Sequence, residues 1–188
     1  MEEVKASPLR QSGTTMIEVL VTLIIVSIGL LGLAQLQSKM QLSDMEAYQR
    51  AQALMLVKDM ASSIAANRKA AASYVTTAPL GAGMTCPVPS AIPTRQERDR
   101  AQWCRFLQGV AERQNTTDRG AMIGARGCVT ALGGDAYLVT VAWQGLLPIA
   151  APPAGVACGA GQYNDGAACT SDRCRRVETM VVRLGTLI

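Results

Sequence analysis

The sequence predicts an α+β protein. A long N-terminal helix, apolar in its first half and amphipathic in its second, packs on a small antiparallel sheet in a head with disulfide-stapled loops. Three observations predict it. No proline occurs between Pro8 and Pro79, and apolar residues recur at helical spacing as far as Ile64. Strand-like alternation comes late, at 136–143 and 176–184, so helices precede an antiparallel sheet. All six cysteines lie at or beyond residue 86, well behind the apolar segment.

Residues 1–13 are polar and mixed in charge, with Lys5 and Arg10. From Met16 to Leu36 the chain is almost wholly apolar, interrupted only by Glu18, Thr22, Ser27, Gly29, Gly32 and Gln35. About 20 residues of helix at 1.5 Å each span a hydrocarbon core. The positive residues ahead of the run favour a cytoplasmic N-terminus and an exported remainder. Thr22 and Ser27 are able to bond helix carbonyls, so they do not break the span. Beyond it, Met40, Ala47, Ala51, Leu54, Val57, Ala61 and Ile64 form one apolar face, with charged residues between them. A continuous helix over about 14–69 is expected.

Residues 78–93 are rich in Pro, Gly and Ala and read as a loop. A second helix is expected over 95–114, with Trp103 and Phe106 as core or helix-packing residues. A hairpin follows: 127–131, a turn at Gly133-Gly134-Asp135, then 136–143. In its second arm Tyr137, Val139, Val141 and Trp143 alternate with Leu138, Thr140 and Ala142. The third strand is 176–184. The intervening loop, 145–172, is long enough to need a function or a staple.

Cys86, Cys104, Cys128, Cys158, Cys169 and Cys174 are even in number and lie in loop-rich sequence behind a hydrophobic segment, which reads as a disulfide set. A zinc site would show tight cysteine pairs, and the nearest two, Cys169 and Cys174, have four residues between them. Cys86–Cys104 is the expected bridge, closing a Pro-rich loop; the pairing of the other four stays open.

The net charge of +4, from 18 basic and 14 acidic residues, is too small and too scattered to indicate nucleic acid. Arg173, Arg175 and Arg176 cluster beside the third strand and are expected to guard a solvated strand edge. The chain has no histidine, so the usual general base and commonest metal ligand are missing. No nucleophile-elbow, phosphate-loop or zinc-protease motif occurs. No catalytic residue, metal or cofactor is expected. Asp135, Asp165 and Asp172 sit in turn-like sequence, and Asn164-Asp165-Gly166 is a poor match to a calcium loop.

Glu18 is the informative departure from apolar sequence. A charge at mid-bilayer costs about 2.5–3.5 kcal/mol even on lenient scales, and such carboxylates have a partner and a role. An ordinary secretory signal, cut after Gly32-Leu33-Ala34 and before Gln35, and a plain anchor both leave it without one. The motif Gly13-Thr14-Thr15-Met16-Ile17-Glu18-Val19-Leu20 resembles the class III signal of type IV pilins and their relatives. That resemblance implies cleavage by prepilin peptidase between Gly13 and Thr14, N-methylation of Thr14, and Glu18 as an assembly carboxylate that pairs with a neighbouring subunit's amino terminus. Two departures stand out. Thr14 occupies a position where the family usually has phenylalanine or methionine, and Gln35 falls near its usual helix proline.

The stretches at 28–37, 53–68, 137–145 and 174–184 further resemble PilV-type minor pilins. Domains of 1–13 (leader), 14–37 (transmembrane and assembly half) and 38–188 (periplasmic head) follow from that likeness. It implies a subunit held in the inner membrane and then in the pilus, which primes assembly and supports twitching motility and adhesion. The implied partners are other minor pilins, the major pilin, prepilin peptidase and the inner-membrane assembly platform. A type II secretion pseudopilin shares the signal and stalk, and an anchored adhesive module is the alternative of another class.

Overall fold

The structure is a computed structural model that describes residues 15–110, 113–114, 117–118, 120 and 122–185. It divides into two compact units, Met1–Ser43 and Asp44–Ile188. Helix α1 (Met16–Ala66) contributes to both. Within the first unit every described side chain is exposed.

In the second unit α1 buries Gln49, Ala53, Val57, Met60, Ala61 and Ile64, a stripe at three- and four-residue steps. The sequence reading placed Met40, Ala47, Ala51 and Leu54 on that face. Met40, Ala47 and Ala51 are exposed and Leu54 is half-buried. The true stripe admits Gln49, a polar residue that hides it from hydropathy, while small alanines fit either face. The α-helix ends at Ala66, where Asn67 N–H bonds both the Ser63 and Ile64 carbonyls. The chain continues as a 3₁₀ helix, Arg68–Tyr74, so the expected α-helical end near 69 is a tightened turn.

Strand β1 (Leu80–Gly81) lies inside the segment read as loop. Helix α2 (Arg95–Leu107) opens on a capping box: Glu97 N–H donates to Thr94 Oγ1 at 3.3 Å, and Thr94 N–H to Glu97 Oε2 at 3.2 Å. It ends seven residues before the expected Gln114, because Gly109 turns to a φ of +90°, a left-handed helix stop. Strands β2 (Arg113–Gln114) and β3 (Thr117–Asp118) pair there instead.

Strands β4 (Ile123–Gly133), β5 (Ala136–Gln144) and β6 (Arg175–Arg183) complete an antiparallel sheet of order β1-β4-β5-β6. Gly133 pairs with Ala136, enclosing Gly134 and Asp135 at φ +55° and +58°, the doubly left-handed turn that suits a two-residue hairpin. β5 is buried on both faces. Tyr137, Val139, Val141 and Trp143 meet α1 and α2 in the main core, with Trp103 fully buried and its indole N–H donating to Leu56 O at 2.9 Å. Phe106 is half-buried. On the other face Ala142 packs with Cys158 and Tyr163 from the long loop.

The arginine cluster is corrected by the structure. Arg173 is exposed, but Arg175 is buried, donating to Asp172 Oδ2 at 3.1 Å and to the Val156 and Cys158 carbonyls at 2.7 and 3.1 Å. The alternation of a strand sends Arg176 to the opposite face, where it donates to Glu46 Oε1 at 3.0 Å and Leu147 O at 2.6 Å. Arg50 pairs with Glu178 at 3.2 Å, so two ion pairs tie α1 to β6. These guanidiniums satisfy loop carbonyls and helix carboxylates rather than solvating an edge.

The six cysteines form three bridges: Cys86–Cys104, Cys128–Cys158 and Cys169–Cys174. The first joins the Pro-rich loop to α2, the second fastens the long loop to β4, and the third closes a short ring before β6. The fold is α+β: a long helix, apolar at its N-terminal end, and a head with a four-stranded antiparallel sheet and three disulfides.

Candidate functional site

Gly13 and Thr14 lie outside the described residues. Glu18 stands in the first turn of α1, where a carboxylate is favoured by the helix dipole. Its own N–H and that of Val19 bond Thr15 O at 3.0 and 3.3 Å, so the helix starts immediately after Thr15. Around it Met16 is 92% exposed and every large apolar side chain to Leu36 faces outward. One 18-residue window of α1 has a mean hydropathy of 2.5, and none of it is buried. Its polar side chains are turned inward on the backbone: Thr22 Oγ1 donates to Val19 O at 2.8 Å and Ser27 Oγ to Leu23 O at 2.7 Å. Gly29 and Gly32 have open space where a Cβ would point. Such a surface is solvated by lipid or by other apolar helices, and it fits membrane anchoring. Among the described residues none pairs with Glu18.

The head carries two surface features that sequence reasoning missed. One is a trough of about 240 Å³ on the sheet face opposite α2. Cys128, Thr130, Leu138 and Thr140 form its floor, 76–79 and 155–158 its walls, and Leu132 stands at its mouth. None of its lining residues is ionisable or aromatic. The other is the strap 86–94. Val88 and Ile92 there are 87% and 92% exposed. The signal for the strap was present: two aliphatic residues among prolines, between a cysteine and the capping box Thr94-x-x-Glu97. The trough had no signal, because its walls come from segments about 80 residues apart.

A polar knot joins the 3₁₀ helix to α2. Tyr74 O–H donates to Asp99 Oδ2 at 2.5 Å, Asn67 donates to Tyr74, and Arg95 lies 3.8 Å from Asp99. Burial and then the Asp99 bond push the Tyr74 hydroxyl up to about 12, and burial and the Asp99 charge raise the Asp59 carboxyl. Its members bond one another inside the fold, which is a structural arrangement. Asn164 is likewise engaged: its Oδ1 accepts from Asp172 N–H at 2.7 Å, which fixes the loop at the candidate calcium position. Among the described residues no three of His, Cys, Asp or Glu gather as a metal site would need.

No curated protein and no solved structure matches the chain. Residues 8–34, which span the sequence around Gly13, Thr14 and Glu18, match a family model described as the prokaryotic N-terminal methylation motif. That motif is the class III signal found on type IV pilins and pseudopilins, and here it covers 27 of the 188 residues.

Proposed function

We propose that this chain is a minor pilin of a bacterial type IV pilus, of the PilV type. Prepilin peptidase cuts between Gly13 and Thr14, Thr14 is methylated on its new amino group, and the subunit waits in the inner membrane with its head in the periplasm. It then joins other minor pilins and the major pilin on the assembly platform, helping to prime a filament that serves twitching motility and adhesion. Its role is structural rather than catalytic.

The observation that carries this reading is Glu18: one carboxylate in the first turn of a helix whose stretch as far as Leu36 is otherwise uncharged and wholly exposed, five residues after Gly13. Alone in hydrocarbon it is costly; beside a neighbour's amino terminus both charges are neutralised, and the pair sets the helix register. Mass spectrometry of the mature N-terminus, in membranes and in sheared surface filaments, tests it. A chain starting at Thr14 in both fractions is expected. A start at Gln35 would mean ordinary secretion and a start at Met1 a plain anchor, and either overturns the reading. Glu18→Ala is expected to leave processing and membrane insertion intact and to remove the chain from filaments. Filaments lost only when a secretion apparatus is disabled would favour a type II pseudopilin.

A further inference from the structure

We propose that the free edge of β6 takes an extended segment of a different polypeptide as an added strand. The sheet order β1-β4-β5-β6 leaves one side of β6 without a neighbouring strand. The register shows which residues face that side. Gly145 N–H bonds Cys174 O and Leu184 N–H bonds Asp135 O, so the even-numbered residues of β6 exchange hydrogen bonds with β5. The odd-numbered ones, Arg175, Val177, Thr179, Val181 and Arg183, turn their N–H and C=O groups outward. Asp172 O takes the Arg175 N–H at 3.0 Å. Among the described residues, nothing bonds the outward backbone of Val177, Thr179, Val181 or Arg183.

Strand edges are normally guarded by bulges, proline, lysine or inward charges. The guards of β6 are missing or spent. It pairs with β5 along its whole length without a register shift, and it contains no proline and no lysine. Arg175 and Arg176 are turned to the long loop and to Glu46, and Glu178 is held by Arg50. Arg183, exposed at the far end, is the one charge of the strand that no described residue pairs.

The outward row fixes the occupant's backbone. A donor and an acceptor recur at every second residue, about 6.8 Å apart, which is the repeat of an extended chain and of no helix. The side chains beside the row fix its pattern. Thr179 and Val181 are exposed on one face, and Val177 on that face is half-buried. Opposite these, aliphatic residues fit, and opposite Arg183 an acidic one. A second copy offers no such segment among its described residues. Its other edge strand, β1, has two residues. Two β6 edges meet antiparallel only if their α1 helices are opposed, because α1 and β6 run the same way: Glu46 meets Arg176 and Arg50 meets Glu178. A strand from a non-identical neighbour is taken once per copy and does not propagate. The contact concerns the head alone and does not depend on cleavage at Gly13.

Backbone amide exchange of the full-length oxidised chain in detergent micelles tests this. In the free protein the amides of Val177, Thr179, Val181 and Arg183 should exchange about tenfold or more faster than those of Glu178, Met180 and Val182. The probe is a capped peptide, Asp-Thr-Val-Thr-Val-Thr-Val, at millimolar concentration. It is expected to slow the odd-numbered amides about tenfold or more. The same peptide methylated on its valine nitrogens should not. Thr179→Pro removes an outward N–H and no bond to β5, so it should abolish the slowing while the even-numbered amides stay protected. If that variant does not fold, the methylated peptide carries the same comparison. Arg183→Glu should move the preference from the aspartate peptide to its lysine counterpart by about two- to fivefold. In intact cells, a benzophenone-bearing phenylalanine at Val181 should mark another protein and lose that mark on Thr179→Pro. Odd-numbered amides already slow in the free protein, no slowing by the peptide, slowing by the methylated peptide or after Thr179→Pro, an unchanged charge preference, or a mark on a second copy overturns the proposal.

Discussion

Gly127 has no room for a methyl group: a Cβ there would come within 2.3 Å of the Trp103 ring and 2.6 Å of Leu107. Gly127→Ala therefore forces α2 away from β4, and about 1–3 kcal/mol of stability should be lost in urea denaturation. Tyr74 gives a pH signature. Its hydroxyl titrates near 10 when unfolded and about 12 when folded, so the folded state holds that proton more tightly. The contribution is whole below pH about 10 and lost as the pH rises through about 12. Denaturation midpoints measured across that window should fall, and Tyr74→Phe should fall less. Tyr163, also raised by burial, accounts for part of the remainder. At this scale the sequence was legible where chemistry is local. The Asp135 turn and Trp103 were readable because a glycine-rich turn and a large aromatic at helical spacing each carry their own physics. Arg175 and Arg176 were misread because their partners, the Val156 carbonyl and Glu46, are distant in sequence.

Among the elements, the disulfides differ by the length of chain they close. Sequence separations of 18, 30 and 5 correspond to about 3.2, 3.7 and 2 kcal/mol in the loop-entropy account. Paired Cys→Ser variants should therefore lose stability in the order Cys128–Cys158, Cys86–Cys104, Cys169–Cys174, as read by thermal melting. The local bridge, Cys86–Cys104, was foreseeable from the Pro-rich loop it closes. The pairing of Cys128 with Cys158 was not, since it depends on the long loop folding back over the sheet. For the same reason β5 and β6 were legible from their alternation, while two-residue β1 was not: it has too few residues to show a period, and its pairing with β4 alone makes it a strand. The early end of α2 was written in Gly109, which was passed over in favour of apolar spacing.

For the whole molecule, every buried side chain among the described residues lies at or beyond Gln49, within the unit Asp44–Ile188. A chain beginning at Asp44 should then fold with its three disulfides and melt within a few degrees of the full-length protein in detergent; aggregation of the truncated chain would contradict this. The overall class was legible because it is set by gross pattern: twenty apolar residues, a prolonged helical period, late alternation. The three bridges have a mechanical consequence. In the filament role proposed above the subunit would be loaded in tension, and a cross-linked loop cannot pay out under load. At about 3.4 Å per residue, the chain enclosed between the paired cysteines amounts to roughly 160–180 Å of slack that the oxidised head withholds. The bridges thus act as length limiters: stretched to its limit, an oxidised head falls short of a reduced one by that length.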